Sequence, residues 1–510
     1  MTKFRVSGFK LQVGSSLLGW GLLLLCALPA EAATYYVDPV CGNVSTYHPV
    51  TRACTGGSAV TYATLDAGNT ALQCGDTLRI RGQSGVFNGI YDRTSALTLA
   101  REGCLAAAPI VIEGYPGETS TGSTKPQIRA VGASFTNLIS MPKRKNVTLR
   151  NLDINANDVA SFAIRPFSLD GVSAENLTFD NMVWRNATGQ GLHCGSDDTA
   201  TMQGIIVRQS HILDNGQDNL PVGEHGIYCD PTESTLRPNS LFEDNLFRGN
   251  AHSGLKLDTG SATTKRGRNT IIRRNVFTGN GLAGSPSDEG HALWISGKGP
   301  HEVYDNVFYD NTGYGIGPGG APNQPIVIYD NSIYNSSSAG IGPAGGGSSW
   351  FRYVNNIVVG NPVNIHPNVI SSGSVLVNNL TAGNPADIWV NPAGGDFRLK
   401  TGSPAISAGI YQICALVDTS ISTRCHKIIL RRGCIPDNNS CDQGAYEYGA
   451  ATALPGDLNG DGNRNLTDVR WMIEMLVGTR EKTTAADLDH DGNVDLADCQ
   501  ALIKLIVTPP

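Results

Sequence analysis

The chain has 510 residues, 60 of them glycine, and only 16% are charged. That composition excludes a disordered polymer and argues against a helical bundle. A net charge of −7 lacks the basic surplus that nucleic acid demands of a partner. What remains is a turn-rich β protein, long enough for one large domain and one small one.

Residues 1–32 read as a signal peptide. Lys3, Arg5 and Lys10 give a basic start, an apolar run covers Leu17 to Leu28, and Ala30-Glu31-Ala32 is a small-x-small cleavage site. Cleavage near Ala32 predicts a secreted, extracellular protein, and no later segment is apolar for long enough to span a bilayer. Eleven cysteines follow: Cys41, Cys54, Cys74, Cys104, Cys194, Cys229, Cys414, Cys425, Cys434, Cys441 and Cys499. Their clustering in an exported chain predicts disulfides, with connectivity open. Cys194 and Cys229 fall at one position of adjacent repeats, as a disulfide or as stacked thiols, and are structural in either case.

An internal repeat fills the middle of the chain. A short apolar strand ending in Asn recurs nine times, from TLRNLDI (148–154) to VLVNNLT (375–381). The shared position is Asn151, Asn181, Ser210, Asn245, Asn275, Asn306, Asn331, Asn356 and Asn379, at spacings of 23–35 residues. A second column follows five residues later: Asn186, Asn215, Asn250, Asn280, Asn311, Asn361 and Asn384. Asn at a bend satisfies its own turn and bonds the equivalent amide above it. Two such columns in one register predict stacked coils carrying amide ladders.

A further strand follows in the middle coils: GLHCG (191–195), GIYCD (226–230), GLKLD (254–258) and ALWIS (292–296), then GIGPG and GIGPA. Period-2 alternation sends Leu192, Ile227, Leu255, Leu293, Ile316 and Ile341 inward, with Cys194, Cys229, Leu257 and Ile295.

These features resemble the right-handed parallel β-helix of the pectate-lyase-like superfamily. TYYVDP (34–39) with GDTLRIRG (75–82) is similar to the opening of such domains. GSPAISAG (402–409) with DQGAYEYG (442–449) is similar to their closing coil. The resemblance implies an all-β solenoid over residues 33–449. It does not select a reaction, because the fold hosts lyases, hydrolases, epimerases and binders.

After a linker at 450–455 the composition changes. Asp457, Asn459, Asp461, Asn465 and Asp468 occupy positions 1, 3, 5, 9 and 12 of an acidic loop, with Gly462 at the sharp turn and the Asn463 carbonyl at position 7. Asp487, Asp489, Asp491, Asn493, Asp495 and Asp498 repeat the pattern around Gly492. Calcium needs this many hard oxygens around one turn. Each loop leads into an apolar helix, VRWMIEMLVG or CQALIKLIV. Residues 456–510 therefore resemble a dockerin type I module, a small α-helical EF-hand-like domain. The resemblance implies two Ca2+ ions and a cohesin-type partner. Arg464 stands where an aliphatic residue is usual. Leu466, Thr467, Leu496 and Ala497 stand where dockerins carry Ser-Thr pairs to meet cohesin, so the partner stays open.

The strand alignment locates candidate chemistry. One residue past the inward column lies an outward column of His193, Tyr228, Lys256 and Trp294. Two residues further lie Gly195, Asp230, Asp258 and Ser296, and just before each strand lie Gln190, His225, Ser253 and His291. Adjacent coils are about 4.8 Å apart, so these residues are expected to form one patch. Insertions at 214–224 and 281–289 are expected to wall it as loops.

Polysaccharide lyases remove a proton alpha to a uronate carboxylate. Lys256 is the candidate base, with Tyr228, His225 and His291 as acid or base. Asp230 and Asp258 are candidates for a groove calcium or a sugar hydroxyl, and His193 and Trp294 for sugar contact. The same two aspartates serve a hydrolase reading, as a carboxylate pair on neighbouring rungs. A lyase on an acidic polysaccharide, a glycoside hydrolase and a non-catalytic carbohydrate binder are the three functions expected, in that order.

Overall fold

The computed structural model describes residues 32–83, 87–115, 125–196, 202–216, 224–229, 240–257, 270–281, 290–296, 299–319, 322, 325–343, 350–371, 373–410 and 440–446. In the C-terminal module it describes 456, 458, 466–477, 486, 488 and 494–507. Among these residues, three sheets of 14, 10 and 9 strands run the length of the main body. Apart from an antiparallel edge pair, Val44–Tyr47 with Ala59–Tyr62, strands in each sheet pair in parallel with the equivalent strand one coil on. In one coil, for example, Lys145–Arg150 joins the first sheet, Asp153–Asn155 the second and Ala160–Ser168 the third. The result is a parallel β-helix, as expected.

The bend between the first two sheets holds a left-handed residue in nine successive coils. Asn151, Asn181, Gln209, Asp244, Arg274, Asp305, Asp330, Asn355 and Asn378 fill it, with φ of 48–58°. Asn and Asp dominate because their short polar side chains tolerate this region best among non-glycine residues.

The next residue faces the interior and carries the ladder. Asn245, Asn275, Asn306, Asn331, Asn356 and Asn379 stack, each amide donating to the oxygen of the next at 2.8–3.0 Å. A parallel ladder joins Asn215, Asn250, Asn280 and Asn311. Ring stacking accompanies them inside, with Phe247–Phe277 centroids 4.4 Å apart and Phe277–Phe308 4.8 Å.

The register corrects four expected members. Asn151 and Asn181 are not in the ladder column but one residue earlier, at the left-handed bend, where the Asn181 amide donates to Asn151 at 2.8 Å. Leu152 and Met182 hold the interior position there, both buried. Asn186 is shifted likewise, and Ala187 donates its N–H to the Asn215 side chain. Asn384 caps a short helix, Pro385–Ile388.

On the outer face of the first sheet, one file of side chains alternates in sign through seven coils: Arg79, Glu113, Arg150, Asp180, Arg208, Glu243 and Arg273. Carboxylate–guanidinium distances are 2.7 Å for Glu113–Arg79, 2.5 Å for Glu113–Arg150, 2.7 Å for Asp180–Arg208 and 2.6 Å for Glu243–Arg273. The file then turns aromatic, with Arg273 donating to Tyr304 and Tyr304 stacked on Tyr329.

The N-terminal end is closed by helix Leu65–Ala71, started by the Thr64 side chain accepting from Ala67 N–H. Its buried Leu65 covers the first coil. Disulfides join Cys41–Cys54, Cys74–Cys104 and Cys194–Cys229, so the last pair is a disulfide between adjacent rungs. Cys414, Cys425 and Cys434 lie outside the described residues, as does the Cys441 side chain. A second apolar cluster of Trp389, Phe397, Ile388 and Leu399 packs with Ile357 and Val359 near the other end. In the C-terminal module, helices Leu466–Leu476 and Leu496–Val507 pack through Met472, Met475, Cys499 and Leu502.

Candidate functional site

The third sheet holds the candidate site. Its register pairs Leu192, Ile227, Leu255 and Leu293, all buried, in one interior file. Parity then aligns His193, Tyr228, Lys256 and Trp294 on the outer face, each half-buried. One rung earlier the same file contains Arg165, and before it Ser140. Arg165 was not singled out from sequence. Its strand, Ala160–Ser168, lacks the glycine-led pattern of the later ones; only the alternation of Ile164 and Pro166 around it marks the position.

His193 Nδ1 lies 2.5 Å from Gln190 Oε1, and its ring meets Phe162 edge-on at 5.0 Å. Burial, aided by the Arg165 charge, pushes its pKa down to about 4. The imidazole is therefore neutral at ordinary pH and works as a hydrogen-bonding group rather than a cation. Lys256 Nζ stands 5.6 Å from the Tyr228 ring centroid. This brings an amine and a phenol together on adjacent rungs.

His225 and His291 lie beside the outer file. Both are buried. His225 Nδ1 accepts the Ser253 N–H at 3.1 Å, and His291 Nδ1 accepts the Tyr314 N–H at 3.3 Å. Their rings buttress the open face: His225 stacks on Tyr228 at 5.7 Å, and His291 lies between Trp294 at 4.8 Å and Tyr314 at 4.6 Å. Ser296 is also buried, donating to the Leu257 carbonyl. Asp230 and Asp258 lie outside the described residues.

Trp294 owes its position to glycines on the next rung. A Cβ on Gly317 would sit 3.0 Å from the indole Cε3, and one on Gly319 only 2.6 Å from Cζ2. The sheet is bare here so that the ring can lie along it. Gly319→Ala is expected to displace the indole and red-shift its emission, which a fluorescence spectrum of the variant checks.

In the C-terminal module the described residues include the last acid of each loop. Asp468 and Asp498, at position 12 of their loops, are fully buried. Asp468 accepts the Leu458 N–H at 2.7 Å and Asp498 accepts the Leu488 N–H at 2.6 Å, the same closure ten residues back in each loop. Asp495 N–H also donates to Asp498 at 2.8 Å. A buried carboxylate closing each of two equivalent loops is consistent with the terminal acid of a calcium loop. The ligand candidates Asp457, Asn459, Asp461, Asn463, Asn465, Asp487, Asp489, Asp491 and Asn493 lie outside the described residues.

Comparison with known proteins agrees with this division. The dockerin type I domain family matches residues 455–507, and the periplasmic copper-binding protein (NosD) family matches residues 171–372. No curated protein matches the sequence. Among solved structures, pectate lyase Pel9A is similar over 82% of this chain and 97% of its own, at 13% identity and a TM-score of 0.55. A rhamnogalacturonan lyase is similar over 73% and 94%, at 15% identity and a TM-score of 0.45. The A-module of Azotobacter vinelandii mannuronan C-5 epimerase AlgE6 is similar over 63% and 93%, at 16% identity and a TM-score of 0.37. The main body thus has the right-handed pectate-lyase-like fold, and the C-terminal module is a type I dockerin.

Proposed function

We propose that this protein is a secreted polysaccharide lyase acting on a uronate-containing polymer, tethered through its dockerin to a cohesin. The observation that carries the reading is the single outer file Arg165–His193–Tyr228–Lys256–Trp294. It places a cation, neutral hydrogen-bonding groups, an amine–phenol pair and a sugar-stacking ring along one strip. Three disulfides support export.

Lys256 takes the proton at C5 of a uronate. The C4–O bond breaks, and the electron pair left at C5 becomes the C4–C5 double bond. The departing glycosidic oxygen takes a proton from Tyr228. Lys256 and Tyr228 are adjacent across the sheet, so one substrate ring reaches both. His225 and His291 hold the aromatic rings rather than move protons.

A panel of uronate polymers, with and without Ca2+, tests the reading through absorbance of the unsaturated product. New reducing ends without unsaturation would instead identify a hydrolase, and binding without cleavage a carbohydrate-binding protein.

The dockerin loops are expected to take up two Ca2+ per chain. Calorimetric titration of the full chain should show both, and Asp498→Ala should remove one. A wild-type chain that takes up no calcium would refute the assignment.

A further inference from the structure

We propose that Arg165 is the anchor of a carboxylate subsite lying at a distance from the bond cleaved, so that the site grips an acidic chain across several sugars. This rests on the lyase reading for the place of cleavage, but not for the chemistry of the grip.

The guanidinium is held as a ready-made anion receptor. Its central carbon is 4.9 Å from the Phe162 ring centroid and 5.3 Å from that of Phe167. Two aromatic faces from its own strand therefore fix its plane. Neither ring supplies a counter-ion. Among the described residues Arg165 makes no hydrogen bond or ion pair, and its Nε is sealed from solvent without an acceptor. Its neighbour in the file on one side is Ser140, and on the other the neutral His193. Most of the other arginines on the sheets meet a carboxylate directly, as Arg79, Arg150, Arg185, Arg208 and Arg273 do.

Holding a half-buried cation without a partner is costly. An incoming carboxylate supplies the missing charge and matches the planar fork. Burial already pushes the guanidinium toward its neutral form, which a bound anion reverses.

The spacing says which carboxylate. Arg165 and Lys256 are separated by the rungs of His193 and Tyr228. Three steps of about 4.8 Å make about 14 Å, longer than a single pyranose ring. The carboxylate at Arg165 therefore belongs to a different sugar from the one losing its proton at Lys256. The ligand class is an oligouronide that spans this distance.

The test uses hexamers and dimers of galacturonate, mannuronate and guluronate, with carboxyl-reduced hexamers as neutral controls. Calorimetry is run in the Lys256→Ala background, with and without Arg165→Met or Arg165→Lys. The methionine keeps an apolar stem over the two rings, and the lysine keeps the charge without the fork. At least one hexamer is expected to bind. Arg165→Met should weaken it at least ten-fold, Arg165→Lys by less, and the dimer and reduced hexamer should not respond. Arg165→Met should also raise the His193 pKa, read by NMR, which shows that the variant is folded with its neighbour in place.

Equal hexamer binding by wild type and Arg165→Met overturns the subsite, as does binding by no uronate hexamer or equal binding of the reduced one. Loss of binding without any product in the lyase panel leaves the subsite standing and removes the lyase. Turnover with an unchanged KM in Arg165→Met does the reverse.

Discussion

Lys256→Ala is expected to lower turnover of the responsive polymer by about 10³-fold or more while the protein stays folded. The side chain points outward from a strand whose Leu255 and Leu257 fill the core, so its removal opens no cavity. Its amine faces the Tyr228 ring across one rung, where a substrate C5 proton and the leaving oxygen lie within one sugar. KM should change little, because the file on either side still grips the chain. Lys256→Arg restores the positive charge but not a group able to accept a proton, and should remain inactive while binding normally. Unchanged product formation by either variant, at an unaltered melting temperature, would remove Lys256 from the mechanism.

The largest expected effect on stability lies at Asn306. Its amide donates to the Ile272 and Tyr304 carbonyls and to Asn331, at 2.9–3.0 Å. Its oxygen accepts from both the backbone and the side chain of Asn275 at 2.9 Å. Alanine leaves several of these buried groups without a partner, at about 1–3 kcal/mol each. A total of about 3–5 kcal/mol is expected. Asn306→Asp should be no milder, because it turns a lone pair toward two carbonyls. Asn151→Ala, at the left-handed bend, should cost only about 1 kcal/mol in backbone strain and one lost bond. Hydrogen exchange of the surrounding coils separates the cases, since a solenoid opens locally. Equal protection in Asn306→Ala and Asn151→Ala would show that the interior ladder carries no special stability.

The solenoid was legible because two independent constraints share one period. From Ser210 to Asn379 the first Asn column and the apolar alternation point to the same register, and the structure follows both. Earlier coils misled. The bend has two adjacent positions that favour Asn for different reasons, one for backbone conformation and one for the ladder. Where Leu152 and Met182 take the interior position, the remaining Asn reads as the ladder residue. Arg165 escaped notice because register, not local pattern, places it beside His193. The histidines just before the strands do lie beside the outer file, as their place in the repeat suggests, but alternation gives no sign that they are buried there.

The alternating file from Arg79 to Arg273 also constrains how this chain can lengthen or shorten. Removing the coil that carries Asp180 would seat Arg150 beside Arg208, two guanidinium groups about 4.8 Å apart at the backbone. Duplicating a single coil would double a charge in the same way. Coils in this stretch can therefore be gained or lost in pairs without penalty, but not singly. A charge ladder of this kind acts as a parity check on the number of turns, and it leaves growth by single coils to the aromatic end, beyond Tyr304, where no sign has to be matched.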